Sequence, residues 1–88
     1  MKLLVFGTGE YYQRLKKWLA NQDIAALIDN SPEKQNTVMD GKEVLSPQEG
    51  VCRAFDAVVI MSFYVKAMKA QLRSLGVAED KIYHFFEL

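Results

Sequence analysis

The stretch Lys2-Leu3-Leu4-Val5-Phe6-Gly7-Thr8-Gly9-Glu10-Tyr11-Tyr12 constrains this chain more than any other. Lys2 to Phe6 is a short run of strand-forming residues that stops abruptly at Gly7, and a second glycine follows at Gly9. A helical pattern then starts at once, with Tyr11, Leu15, Trp18 and Leu19 spaced to share one face. A strand that passes through a glycine loop straight into a helix must turn tightly, which glycine permits. It also leaves bare backbone N–H groups at a helix start, where the dipole favours negative charge. Strand, glycine loop and helix in that order open a βαβ unit of the phosphate-cradling kind. The G-x-G is incomplete as a fingerprint, because Tyr12 stands where a third small residue would let the helix pack close to the sheet. A tyrosine there pushes the helix outward or turns its ring into the site. The competing reading is that the glycines only make a tight turn.

Further along, the first helix is expected from Glu10 to Asn21, with Arg14, Lys16 and Lys17 on its solvated face. Ile24 to Ile28 is apolar almost throughout, as a parallel strand buried on both faces should be. It ends in Asp29-Asn30. Asp29 lies where dinucleotide-binding folds place an acid to accept the ribose hydroxyls, and a carboxylate there repels a 2′-phosphate. As a plain turn, Asp29-Asn30-Ser31-Pro32 explains itself equally well.

Ser31-Pro32-Glu33-Lys34 reads as one helical turn with Ser31 as its N-cap. Asp40-Gly41 is a tight turn joining Thr37–Met39 to Lys42–Leu45. Ser46-Pro47-Gln48-Glu49 is a capping box with proline at the first helical position, and Gly50 keeps that helix short. These are connectors, not a full crossover helix. Ala57 to Met61 is the most hydrophobic strand and belongs in the sheet centre beside the first. It ends at Ser62-Phe63-Tyr64. A helix follows with Val65, Met68, Leu72 and Leu75 inward, Lys66, Lys69 and Arg73 outward, and Gly76 as its stop. Lys81 to Phe85 is the last strand.

The expected fold class is therefore α/β: a Rossmann-like three-layer fold over residues 1–88, with a small parallel sheet of about four main strands flanked by helices. Right-handed crossovers order the main strands second, first, third, fourth, with a short extra strand near Val44. Ligands in such sheets bind outside the carboxyl ends of the strands, where the order reverses. Gly7, Thr8, Gly9, Glu10, Tyr11 and Tyr12, then Asp29 and Asn30, then Ser62, Phe63 and Tyr64 all fall on that edge and form the candidate binding set.

Composition narrows the partners. Eleven Lys and Arg residues balance eleven Asp and Glu, and no basic run occurs, which argues against nucleic acid. The one cysteine, Cys52, allows no internal disulfide and reads as a small semi-buried hydrophobe. The one histidine, His84, supports no histidine-based metal site. The longest wholly apolar run, Ala57 to Met61, is too short to span a membrane, and no signal peptide is visible, so a cytoplasmic location is expected. No nucleophile–base pair is evident, and Tyr12 and Lys16, although spaced as Y-x-x-x-K, lie where no substrate would meet a nicotinamide. No catalytic residue is assigned.

Five segments together carry a family resemblance. They are Val5-Phe6-Gly7-Thr8-Gly9-Glu10, Ala26-Leu27-Ile28-Asp29-Asn30, Asp40-Gly41-Lys42-Glu43-Val44-Leu45-Ser46-Pro47, Phe55-Asp56-Ala57-Val58-Val59-Ile60-Met61-Ser62, and Gln71-Leu72 to Gly76-Val77 with Lys81-Ile82. Nearly the whole chain resembles the small Rossmann-like nucleotide-binding domain of bacterial surface-polysaccharide enzymes. Such domains are joined to nucleotide-sugar dehydratases and epimerases and accompany glycosyltransferases, methyltransferases and sugar acyltransferases. The resemblance implies that Gly7, Gly9 and Glu10 hold a diphosphate and Asp29 a ribose or uridine. Tyr12 departs from the G-x-G-E-x-G/A of many relatives, and Tyr11-Tyr12 could instead stack on a base or sugar.

The expected function is nucleotide or nucleotide-sugar binding within a glycosyltransferase-type or polysaccharide-biosynthesis enzyme, with NAD or a UDP-type nucleotide as ligand. Two alternatives stand beside it: the NAD-binding half of a nucleotide-sugar oxidoreductase or dehydratase, and a non-binding dimerisation or docking module. A dinucleotide fold needs two mononucleotide halves; this chain has one and a little more, so it is not a self-sufficient enzyme. Apolar residues at the Phe63-Tyr64 tip and along Lys81–Leu88 point to a homodimer or a catalytic partner domain.

Overall fold

The computed structural model describes residues 1–87. Leu88, expected on the terminal edge, lies outside the described residues. Strand β1 (Lys2–Phe6) leads through the glycine loop into helix α1 (Glu10–Leu15), and β2 (Asp23–Ile28) follows. Next come β3 (Thr37–Met39), β4 (Lys42–Leu45), α2 (Pro47–Gly50), β5 (Ala57–Ile60), α3 (Val65–Ser74) and β6 (Ile82–His84). The sheet order is β3-β4-β2-β1-β5-β6, parallel except for the β3–β4 pair. The four main strands thus stand in the order the apolar runs imply, and the hairpin adds two short strands beyond β2.

Alternation along β1 divides the core. Leu4 and Phe6 face α3 with Ile28, Ile60 and Leu72, while Leu3 and Val5 face α1 with Tyr12, Leu19 and Val59. Helices on both faces of a mostly parallel sheet make the fold a Rossmann-like α/β sandwich. β1 beyond Lys2, the second half of β2 and all of β5 are buried, which is why Leu3–Phe6, Ala26–Ile28 and Ala57–Ile60 read as unbroken apolar runs.

Several local devices follow from single residues. Asp40 and Gly41 have φ of +52° and +77°, the paired left-handed geometry of a two-residue hairpin turn. Ser46 accepts a hydrogen bond from the Glu49 amide at 3.1 Å and caps α2. α3 ends at Gly76, φ +94°, where the Val77 amide reaches back to the Leu72 carbonyl and the Gly76 amide to that of Arg73. That pair of bonds is a Schellman stop. Gly50 does more than shorten α2: a Cβ there would stand 2.2 Å from Ile28 Cγ2, so glycine lets α2 lie directly on β2.

The structure corrects five expectations. The first helix is α-helical only to Leu15 and continues as a 3₁₀ turn from Lys16 to Leu19, not to Asn21. The tighter winding, about 120° per residue at three residues per turn, changes which residues face inward. Leu19 is buried and Trp18 is 72% exposed. Within α1 itself, Tyr12 takes the core place expected of Tyr11. Ser31–Lys34 forms hydrogen-bonded turns in place of a helical one, the Lys34 amide on the Ser31 carbonyl and the Gln35 amide on that of Pro32, while the Asp29 side chain engages the Ser31 amide. The last strand stops at His84, and Phe85–Glu87 curls into a 3₁₀ turn. Phe85 packs on the α1 side, whereas Phe86 is 71% exposed. Cys52 is exposed, since the turn after α2 carries it outward. Among the described residues, no helix is long and apolar enough to cross a membrane.

Candidate functional site

The carboxyl ends of β1, β2 and β5 open into a cleft of about 670 Å³. Ten of the eleven residues singled out in the sequence line it: Gly7, Thr8, Gly9, Glu10, Tyr11, Asp29, Asn30, Ser62, Phe63 and Tyr64. They meet because β1 lies between β2 and β5 in register, Phe6 opposite both Ile28 and Ile60, so the three loops leave the sheet at one level.

The two glycines differ in what demands them. Gly7 has φ +110°, and a Cβ there would stand 2.9 Å from the Met61 carbonyl oxygen, so the fold itself requires glycine. Its amide donates to the Ile28 carbonyl at 2.9 Å. Gly9, the N-cap of α1, has φ −84°, and a Cβ there would meet nothing within 4 Å. Among the described residues, no atom stands in the way of a Cβ at Gly9.

Thr8, between them, is 2% exposed. Its hydroxyl donates to Asp29 Oδ2 at 2.6 Å and its amide to the same oxygen at 2.9 Å. The Ser31 amide donates to Asp29 Oδ1 at 2.8 Å. Burial pulls the Asp29 carboxyl upward, but the Thr8 hydroxyl, the two amides and the nearby Lys34 outweigh it and hold the carboxyl below its usual range. Asp29 is thus an anion built into the cleft.

The remaining lining is an aromatic wall. Tyr11 is half-buried; its ring meets Phe63 edge-on at 4.4 Å and stacks on Phe85 at 5.7 Å. The Tyr64 amide donates to Ser62 Oγ at 3.1 Å, and His84 Nε2 lies 3.0 Å from the Ser62 carbonyl oxygen. These bonds fix the turn that leaves Phe63 and Tyr64 66% and 77% exposed. Asn30 exchanges two amide hydrogen bonds with Gln71, at 3.0 and 2.8 Å, and so ties the β2 tip to α3. Glu10 points to solvent and pairs with Arg14 at 2.8 Å.

Tyr12 is the exception and a correction. It lies in the core on the α1 face of the sheet, 5% exposed, and its hydroxyl donates to Asp40 Oδ2 at 2.8 Å. It neither enters the cleft nor stacks there; it tethers the β3–β4 hairpin to α1. Burial first, and then the Asp40 carboxylate, push its phenol up to about 12. Five lining residues escaped the sequence reading: Phe6, Ser31, Lys34, Met61 and Met68. Lys34 is the important one, since it is the cleft's cation, and only the turns after Asp29 bring it there. Its proximity to the acid in sequence was the one available signal.

No curated protein matches the chain. Among solved structures, UDP-D-quinovosamine 4-dehydrogenase from Vibrio fischeri is similar, with a TM-score of 0.62 and 22% identity over 86% of this chain and 72% of that one. RSP, solved in complex with beta-NAD+ and operator DNA, is similar at a TM-score of 0.68 and 11% identity over 94% of this chain. This chain spans 48% of that one. Likeness at these identities is a likeness of fold. The sequence profile of one family, described as C2185-like, N-terminal, matches residues 1–83, and the chain belongs to that family.

Proposed function

We propose that this chain is a nucleotide- or nucleotide-sugar-binding domain of a glycosyltransferase-type or polysaccharide-biosynthesis enzyme, with its ligand in the cleft at the ends of β1, β2 and β5. The observation that carries the reading is Gly9. Gly7 is explained by the backbone it must adopt, but Gly9 stands at the mouth of the cleft with open space where its side chain would be. A ligand phosphate approaching the backbone closely would use that space. Lys34 supplies positive charge on the same cleft, Asp29 a hydrogen-bond acceptor for a sugar, and Phe63, Tyr64 and Tyr11 a surface for a flat ring. The cleft volume is within the range of about 300–1,000 Å³ usual for small-molecule sites. The similarity to an enzyme whose name specifies a UDP-sugar supports a UDP-type ligand.

The second reading is NAD. It is favoured by the similarity to a protein solved with beta-NAD+ and by the carboxylate at the end of β2. A thermal-shift panel of NAD, UDP, UDP-sugars and CoA separates the two. The decisive variant is Gly9→Val, assayed by calorimetry beside its melting temperature. Affinity should fall tenfold or more while the melting temperature falls by no more than about 8 °C, because a Cβ at Gly9 meets no atom among the described residues and only the N-cap preference is lost. A flat panel would remove both readings and leave a docking module; unchanged affinity in Gly9→Val would make the glycines turn formers only.

A further inference from the structure

At Asp29 the acceptor count is the informative quantity. An ionised carboxylate offers about four acceptor positions, two on each oxygen. Oδ2 already takes two donors, the Thr8 amide and the Thr8 hydroxyl. Oδ1 takes one, the Ser31 amide. Among the described residues, a single acceptor position is left, on Oδ1.

Resting on the reading of the cleft as a nucleotide site, we propose that Asp29 is a positioning residue: it locks the glycine loop to the tip of β2 and offers a bound nucleotide one acceptor, not a two-point grip on a ribose diol. Thr8 is the one residue of Gly7-Thr8-Gly9 with a side chain, and the glycines on either side are the freest residues in a chain. Burying its hydroxyl demands a partner, and Asp29 is that partner. With the Gly7 amide on the Ile28 carbonyl, three hydrogen bonds run from the loop to the end of β2. The Ser31 amide holds the other carboxylate oxygen and stops the group from rotating. The loop is therefore shaped before any ligand arrives, which lowers the ordering cost of binding.

The test uses the full chain with Thr8→Val, Thr8→Ser and Asp29→Asn. Thr8→Val removes only the hydroxyl bond and Thr8→Ser keeps it, so the pair stands even if Asp29→Asn folds poorly. Amide hydrogen exchange, read residue by residue by NMR, needs no ligand. Exchange at position 8 and at Gly9 should quicken about tenfold in Thr8→Val and Asp29→Asn, and stay near wild type in Thr8→Ser. Unchanged exchange in both Thr8→Val and Asp29→Asn would overturn the lock. Calorimetry with ADP and UDP and their 2′-deoxy and 3′-deoxy analogues examines the acceptor. No more than one deoxy analogue of each pair should lose about tenfold or more in affinity; equal losses in both would overturn the single-acceptor claim. Thr8→Val should weaken binding of the parent nucleotide and Thr8→Ser restore it, which a purely structural role would not do at equal melting temperature. If neither ADP nor UDP binds the wild type, the nucleotide reading falls, and the exchange data alone decide the lock.

Discussion

Replacing Gly7 with alanine should destabilise the fold, and by an amount that can be worked out. Two costs add. Holding an L-residue at the φ of +110° found there costs about 1–3 kcal/mol. The new Cβ would also stand 2.9 Å from the Met61 carbonyl oxygen. That atom is backbone, in a residue whose amide is bonded to the Phe6 carbonyl at 2.8 Å, so it cannot swing aside as the end of a flexible side chain would. Relieving such an overlap in a packed interior costs about 1–3 kcal/mol. Against this, alanine restricts the unfolded chain and returns about 0.4–1 kcal/mol. The net loss is about 3 kcal/mol, a large part of the roughly 4–13 kcal/mol that holds a domain of this length together. The melting temperature should fall by about 12–24 °C, at about 4–8 °C per kcal/mol for a domain of this size. Gly9→Ala is the internal control: its Cβ meets no atom among the described residues, so only the N-cap preference for glycine over alanine is lost, about 1 kcal/mol or less. Urea unfolding followed by circular dichroism measures both. A Gly7→Ala chain as stable as Gly9→Ala would refute the reasoning.

Two further outcomes are expected. Gly50→Ala forces a methyl against Ile28 Cγ2 in the core and should cost about 1–3 kcal/mol in urea unfolding, although alanine is the better helix former. Because the Tyr12 phenol ionises at about 12 in the folded chain against an ordinary value near 10, folding favours its neutral form. The stabilisation is complete below pH 10 and is lost as pH rises toward 12, so ultraviolet titration should show a late tyrosine ionisation that Tyr12→Phe abolishes.

How far the sequence alone reached can be seen residue by residue. The order of the four main strands was legible because strands buried on both faces must be almost wholly apolar, and Leu3–Phe6, Ala26–Ile28 and Ala57–Ile60 are. Short connectors between them then leave few ways to lay the sheet. The cleft was legible for the same reason: once β1 lies between β2 and β5, the loops after Phe6, Ile28 and Ile60 must share an edge. Turn chemistry was equally local, since Asp40-Gly41 and Gly76 show their roles in their own residue types. What tertiary structure decided was direction. Tyr11 and Tyr12 are adjacent on a helix and chemically alike, and the sequence pattern suits either as the inward residue. Packing against the hairpin chose Tyr12, because Asp40 satisfies its buried hydroxyl, and it sent Tyr11 to the aromatic wall. The 3₁₀ turn after Leu15 exposed Trp18, although a continuous helix would have buried it. Gly50 reads as a helix terminator, but Ile28 gives it a second purpose from 22 positions away. Asp29 and Thr8 meet across the ends of two strands, and only that meeting turns a turn-forming acid into the anchor of the glycine loop. Patterns of period and propensity depend on neighbours in sequence, whereas the direction of a side chain depends on neighbours in space.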